Sequence, residues 1–250
     1  MLALVTGASS GIGYEISKYL SKLGYDIIAV ARNLELLEKL KECCTTNVLI
    51  LEMDLSVLDN CQKLYMKTKE KNIDILVNCA GFGVFGSYIE TDLNKEINML
   101  NLNILALHTL MKLYLQDMYI RNTGYILNVA SIAGFMPGPL MSAYYASKAY
   151  VLRLTQAIAV ELKQENSNVH VSVLCPGPVK TNFNKVAGVN FGINSLTSEF
   201  VAKYAIDKML KNKLVIIPGK VTKILRILSK IFPDKIVSNV SYHIQTKKID

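Results

Sequence analysis

Apolar residues along the chain fall into short runs separated by longer stretches with a helical repeat. The runs Leu2–Thr6, Asp26–Ala31, Val48–Glu52, Ile73–Asn78, Gly124–Ala130, Val169–Cys175 and Leu214–Ile217 have strand length. Between them, segments 11–23, 34–43, 57–71, 92–120, 143–165 and 198–211 repeat apolar residues at the spacing of one helix face. Runs such as LALVT, DIIAV and DILVN lack in-and-out alternation, as expected of parallel strands covered by helices on both sides. The alternation predicts an α/β fold, a single Rossmann-type doubly wound parallel sheet of about seven strands with right-handed crossovers. No Ser/Pro-rich linker or internal repeat divides the chain. One domain is expected, with residues 1–219 as its body and 220–250 as a basic amphipathic helical extension.

Within that extension Val221, Ile224, Leu225, Leu228, Ile231 and Phe232 follow helical spacing, while Lys220, Lys223, Arg226 and Lys230 fall on other faces. Pro233 breaks the pattern, and a second apolar segment follows with Ile236, Val237, Val240 and Ile244. A helix packed on its own domain over a substrate mouth fits this pattern. A subunit contact fits it too, as does an interfacial helix drawn to anionic lipid.

Composition adds boundaries. With 250 residues, 51% of them apolar and 19% charged, the chain has material for a large core. Disordered, collagen-like and disulfide-stapled classes are excluded. The formal charge of +8 raises nucleic acid, an anionic membrane or an acidic ligand as partners. Seven basic and two acidic residues between Lys220 and Asp250 supply +5 of that surplus. The body is therefore close to neutral. Nucleic acid, for which no stacking motif or recognition-helix pattern exists, drops out. The opening residues lack a signal-peptide pattern, and no run approaches the ~20 apolar residues of a membrane span. The five cysteines are odd in number and lack C-x-x-C spacing, so free thiols and a cytoplasmic location are expected. Peripheral contact with the inner membrane surface through residues 220–250 is the added expectation. The three histidines are scattered, and no metal site is expected.

Candidate chemistry begins at the first turn. Strand Leu2–Thr6 runs into Gly7-Ala8-Ser9-Ser10-Gly11-Ile12-Gly13, which opens a helix. Glycines there permit a tight turn and let a diphosphate approach backbone N–H groups at a helix N-terminus. Further on, Tyr144 and Lys148 stand at i and i+4, one turn apart on a helix face. A nearby ammonium favours a phenolate, which would bring tyrosine into the range of general acid–base catalysis.

The turn TGASSGIG resembles that of the classical short-chain dehydrogenase/reductase family, and the resemblance runs from about residue 3 to residue 219 with its motifs in order. It implies that Gly7, Ser9, Ser10, Gly11, Ile12 and Gly13 cradle a dinucleotide. Asp54 would accept from the adenine amino group, with Leu55 beside it. Asn78-Cys79-Ala80-Gly81 resembles the family's N-N-A-G, with Cys79 in place of the second Asn and with Asn78, Ala80 and Gly81 kept. Ala31 stands where NAD-preferring members place Asp, and Arg32 follows, able to bond a 2′-phosphate in bidentate fashion. NADP(H) is expected over NAD(H).

Ser131, thirteen residues before Tyr144, matches the family's catalytic Ser, and Asn103 matches the Asn of its tetrad, with Asn101 as rival. The resemblance implies hydride transfer between nicotinamide and a carbonyl or alcohol carbon. Tyr144 would exchange the proton, Ser131 orient the oxygen, and Lys148 lower the Tyr144 pKa and hold the ribose. Asn103 would position a relay water. Pro176 and Gly177 resemble the family's P-G segment, which implies Val179 near the carboxamide and Thr181 near the phosphates or the carboxamide. Ser131, Phe135, Met141, Tyr144 and Phe183 are the expected substrate pocket. Residues 182–197 fall at the family's variable substrate lid.

Those walls are apolar, which favours a lipophilic ketone or secondary alcohol. A 3-oxoacyl-thioester reductase is the alternative substrate reading, and a non-catalytic NADP(H)-binding regulator the alternative class. Helices 92–120 and 143–165 are those through which relatives commonly pair, so a homo-oligomer, a dimer or tetramer, is expected.

Overall fold

The computed structural model describes residues 1–181 and 195–246. Seven strands form one sheet: β1 (Leu2–Thr6), β2 (Asp26–Ala31), β3 (Val48–Glu52), β4 (Ile75–Asn78), β5 (Gly124–Val129), β6 (Val169–Leu174) and β9 (Val215–Ile216). All pairings are parallel, in the order β3-β2-β1-β4-β5-β6-β9. Two short strands, β7 (Val179–Lys180) and β8 (Leu196–Thr197), pair separately.

The helices that cover the sheet are α1 (Gly11–Lys22), α2 (Leu34–Cys43), α3 (Leu58–Thr68), α4 (Leu93–Leu100), α5 (Leu107–Arg121), α6 (Ser142–Gln164) and α7 (Ser198–Met209). Two more, α8 (Lys220–Ile231) and α9 (Asp234–Thr246), form the C-terminal extension. Among the described residues, no helix is long and apolar enough to cross a membrane.

The missing in-and-out alternation has a direct explanation. Ala3 and Val5 of β1, Ile27 and Ala29 of β2, and Ile75 and Val77 of β4 enter one core cluster, with Ile16 and Leu20 of α1 and Val201 and Ile206 of α7. Their neighbours Leu4, Ile28, Val30 and Leu76 enter a second cluster on the opposite face, with Leu64 of α3 and Leu110 and Tyr114 of α5. Successive side chains point to opposite faces, and both faces are dry. Each buried aliphatic side chain contributes roughly 1.5–3 kcal/mol relative to exposure, so an apolar residue is favoured at every position.

Strand order reverses between β1 and β4, which opens a crevice at their carboxyl ends. The Thr6 hydroxyl joins the two ends, accepting from Cys79 N at 3.0 Å and Ala80 N at 3.1 Å.

Some expected boundaries shift. The segment 92–120 is not one regular helix, because residues Asn101–Ala106 between α4 and α5 take π-helical geometry. Within this turn Asn103 points into the interior, where its amide bonds Phe82 and Ser147. The strand expected from Ile73 starts at Ile75, since the Asp74 carboxylate accepts from Leu2 N at 2.7 Å. Segment 57–71 closes in a 3-10 turn, Lys69–Lys71.

Candidate active site

The crevice at the sheet's switch point is a cavity of about 970 Å³. Its floor on one side is the glycine turn. Gly7 has φ +69° and lies so close to the β4 end that a Cβ would sit 2.9 Å from the Ala80 backbone. At Gly13 a Cβ would meet the Gly7 carbonyl oxygen at 2.3 Å, so only glycine lets α1 approach the turn. Helix α1 begins after Ser10, whose side chain makes no capping hydrogen bond, and no acid occupies its first turn. The amides at that end face the crevice with the positive end of the helix dipole. This is a cradle for an anion, and the residues present fit a dinucleotide diphosphate.

Gly7, Ser9, Ser10, Gly11, Ile12, Arg32, Asp54, Leu55, Ala80, Gly81, Pro176, Gly177, Val179 and Thr181 all line the cavity. Arg32 is largely exposed at the end of β2, with Nη1 3.9 Å from Asp54 Oδ2. Two expected dinucleotide contacts do not reach the surface of the cavity. Asn78 is buried, its Nδ2 donating to Asn128 Oδ1 at 2.9 Å, and Gly13 lies beneath the Gly7 carbonyl. Both shape the crevice from behind.

Ser131, at the end of β5, and Tyr144 and Lys148, one turn apart on α6, converge at the other side. The Ser131 hydroxyl is hydrogen-bonded to the Tyr144 phenol, and its oxygen also accepts from Ala133 N at 3.2 Å. Lys148 Nζ donates to the Val129 carbonyl at 2.9 Å and lies 5.8 Å from the Tyr144 ring centroid. Burial pushes the Lys148 ammonium down to about 8, opposed by nearby Cys79 and Cys175. Burial also holds the Tyr144 phenol well above its ordinary value, and the Ser131 hydrogen bond opposes it. The expectation that Lys148 brings Tyr144 down meets a different balance here: desolvation dominates, and the phenol is held protonated.

Asn103 is buried in the π-helical turn. Its Oδ1 accepts from Phe82 N at 3.1 Å, while Nδ2 donates to Phe82 O at 2.9 Å and Ser147 Oγ at 3.2 Å. It pins the backbone beside Gly81, where a Cβ would lie 2.8 Å from Asn103 Oδ1 and 3.4 Å from Lys148 Nζ. Asn103 therefore stands behind the cavity wall, next to Lys148. π-Helical turns concentrate at functional sites because the extra residue re-aims side chains.

Of the expected substrate contacts, Ser131, Met141 and Tyr144 line the cavity. Phe135 does not. Its ring packs into a separate cluster near Val151, Leu152 and Ile217, and the Arg226 guanidinium sits 5.2 Å above it. Attraction between cation and ring, together with packing on that cluster, favours this placement over one facing the cavity. Phe183 and the other lid residues 182–194 lie outside the described residues.

The residues least visible in the sequence are those of the far wall. Leu225 and Leu228 of α8, Phe232 just beyond its end, and Ile236, Val240 and Ile244 of α9 line the same cavity. Gln245 Nε2 donates to the Tyr145 hydroxyl at 2.8 Å, tying α9 to the residue beside Tyr144. The amphipathic repeat marked these helices, but nothing in it said which face meets the crevice.

A profile of the family described as short chain dehydrogenase matches residues 1–189. The chain belongs to the short-chain dehydrogenase/reductase family. It is 36% identical over 194 residues to the probable short-chain type dehydrogenase/reductase VdlC of Helicobacter pylori, covering 76% of this chain and 69% of that protein. It is 30% identical over 182 residues to the 7beta-hydroxysteroid dehydrogenase of Clostridium sardiniense, covering 71% and 69%. Among solved structures, a short-chain dehydrogenase from Sphingobium yanoikuyae in complex with NADPH superposes with a TM-score of 0.81. That pair is 26% identical, with 93% of this chain and 96% of the other covered. The protein is thus a short-chain dehydrogenase/reductase, an oxidoreductase of hydroxyl and carbonyl groups that uses a nicotinamide dinucleotide.

Proposed function

We propose that the protein is an NADP(H)-dependent carbonyl reductase or alcohol dehydrogenase for a bulky, lipophilic ketone or secondary alcohol. The observation that carries this reading is the buried Ser131, Tyr144 and Lys148 set at the foot of an apolar cavity of about 970 Å³. The 7beta-hydroxysteroid dehydrogenase among its relatives supports a bulky alicyclic substrate. For the coenzyme, the support is local. At the end of β2, Ala31, Arg32 and Asn33 line the cavity, none of the three is acidic, and the Arg32 guanidinium, 3.9 Å from Asp54 Oδ2, is available to bond a 2′-phosphate.

When bound, the nicotinamide supplies hydride to the carbonyl carbon, or accepts it from the alcohol. Everything else falls to this chain. In reduction, Tyr144 gives its phenolic proton to the carbonyl oxygen as the carbon gains hydride, and the C=O π-pair becomes the O–H bond. The Ser131 hydroxyl donates to the same oxygen and fixes its position. Lys148, anchored on the Val129 carbonyl, places positive charge beside the phenol, which favours the phenolate left behind. Asn103 holds the Phe82 backbone and the start of the proton path from Lys148. In oxidation each proton moves in reverse.

A homo-oligomer, a dimer or tetramer, accompanies this reading. Tyr119 and Ile120 on α5 and Tyr150 and Val160 on α6 remain exposed, in keeping with pairing through those helices.

The test is a spectrophotometric screen with NADPH and with NADH across aldehydes, small diketones, steroids and 3-oxoacyl thioesters. Turnover of steroid-sized ketones with NADPH is expected. Preference for NADH overturns the coenzyme assignment, and preference for 3-oxoacyl thioesters overturns the substrate class. Tight NADPH binding with no turnover on any carbonyl would make the protein a regulator.

A further inference from the structure

Helix α8 has two occupied faces. One lines the crevice, and the other closes a second pocket of about 700 Å³ beyond edge strand β9. Its rim carries Lys208 of α7, Lys213 of the turn before β9, and Lys223, Arg226 and Lys230 of α8. Among the described residues, no carboxylate lines it, and none of these five cations forms an ion pair. The nearest acid along α7, Asp207, is committed to Lys203 at 3.1 Å and to the Tyr19 hydroxyl at 2.7 Å.

The cations converge instead of dispersing. Lys208 and Lys223 lie over the same Tyr204 ring, at 5.6 and 5.8 Å from its centroid, and Lys223 Nζ donates to the Tyr204 hydroxyl at 3.4 Å. Arg226 also lines the pocket, with its guanidinium 5.2 Å over the Phe135 ring, and its buried Nε–H has no hydrogen-bond acceptor among the described residues. A buried unpaired donor on a guanidinium is costly, and like charges gathered around one hollow repel. Both costs vanish when a multiply charged anion enters. The remaining wall, Val215, Ile216, Ile217 and Ile227, is apolar.

We propose that this pocket binds a phosphate-bearing ligand, with the phosphoryl group held by Lys208, Lys223 and Arg226. A phosphate monoester carries close to two negative charges and several acceptor oxygens, which suits a cluster of cations better than a single carboxylate does. Guarding an edge strand with lysines is a known device, but β9 is only two residues long and offers little to guard. A second copy of this chain docking symmetrically would set five cations against five, which disfavours that occupant. The phosphate can belong to a soluble metabolite or to a lipid headgroup. Because α8 also walls the crevice, an anion bound here steadies the mouth through which substrate passes.

The full-length protein, saturated with NADPH so that the dinucleotide cradle is filled, is titrated calorimetrically with pyrophosphate. In parallel it is sedimented with phosphatidylcholine vesicles, with and without phosphatidic acid. The site variant is Lys208→Gln with Lys223→Gln, and the control removes two exposed lysines of α3, Lys63→Gln with Lys67→Gln. Binding in either arm should weaken about tenfold in the site variant, close to 1.4 kcal/mol, and stay unchanged in the control. Loss confined to pyrophosphate identifies a soluble ligand, and loss confined to phosphatidic acid vesicles identifies a lipid headgroup. Binding absent in both arms, or weakened equally by the control, overturns the proposal.

Discussion

Gln245 donates to the hydroxyl of Tyr145 across 2.8 Å, although the two residues are 100 positions apart. Tyr145 is next to Tyr144 on α6, and its ring packs edge-on to the Tyr144 ring with centroids 6.1 Å apart. The last described turn of the chain thus touches the neighbour of the proposed proton donor. Removing the amide leaves the chemistry intact and loosens the wall. A buried hydrogen bond contributes about 0.5–1.5 kcal/mol net. Gln245→Ala should therefore raise KM for a steroid-sized ketone roughly 2–10-fold, the equivalent of that energy. Steady-state kinetics with a large and a small ketone checks this, since kcat for the small one should not move.

The layout that brings these residues together was only partly legible in the sequence. Strands β1, β2 and β4 were plain because burial on both faces demands apolar residues at every position, and the glycine turn was plain because close approach at Gly7 and Gly13 tolerates no Cβ. The π-helical turn around Asn103 carries no residue signature; the bond it makes to Phe82, 21 positions earlier, is a tertiary contact. Phe135 pointed the wrong way for the same reason. Phe135 ends a 3-10 turn, Ile132–Phe135, and the side chain it meets, Arg226, lies 91 residues further on. The apolar stripe of α8 was visible, yet nothing in it shows that this helix lies along the crevice with Thr222 close against Gly177.

Tyr144→Phe removes one hydroxyl and little volume. Ser131 loses its phenolic partner, and reduction loses its proton donor. A positioned acid contributes about 10²–10⁴-fold to rate, so kcat for ketone reduction should fall by that range. NADPH affinity, measured by quenching or calorimetry, should change less than about threefold, a fraction of a kcal/mol. A variant with near wild-type kcat would remove Tyr144 from the proton path.

Arg32 tests the coenzyme. Its side chain is 63% exposed, so salt screens the contact and discounts its strength. Arg32→Ala should still lower kcat/KM for NADPH about 2–5-fold, the effect of losing an exposed charge pair of up to about 1 kcal/mol. The value for NADH should hold or rise slightly. Ala31→Asp should push further in the same direction, since a carboxylate at the end of β2 repels the 2′-phosphate and accepts from a 2′-hydroxyl. Equal losses with both coenzymes would make Arg32 a residue of fold stability.

Lys148 makes stability depend on pH in a direction set by its burial. Burial brings its ammonium down to about 8, against an ordinary value of 10.5. Below pH 8 the lysine is protonated both in the folded and in the unfolded chain, so the cost of burying its charge is constant and complete. Between about 8 and 10.5 the unfolded chain holds the proton more tightly than the folded one, and stability from this group rises with pH. Cys79 and Cys175 act oppositely, because burial pushes both thiols up to about 12. The comparison with Lys148→Met isolates the lysine. Below pH 8 the methionine variant should gain in denaturant midpoint over wild type without coenzyme, and that gain should shrink between pH 8 and 10.5. In the same window, reduction by the wild type should fade as the charge beside Tyr144 is lost. A gap that stays constant from about pH 7 to 10.5 would show that Lys148 keeps its proton throughout, and the charge set beside the phenol would then be permanent.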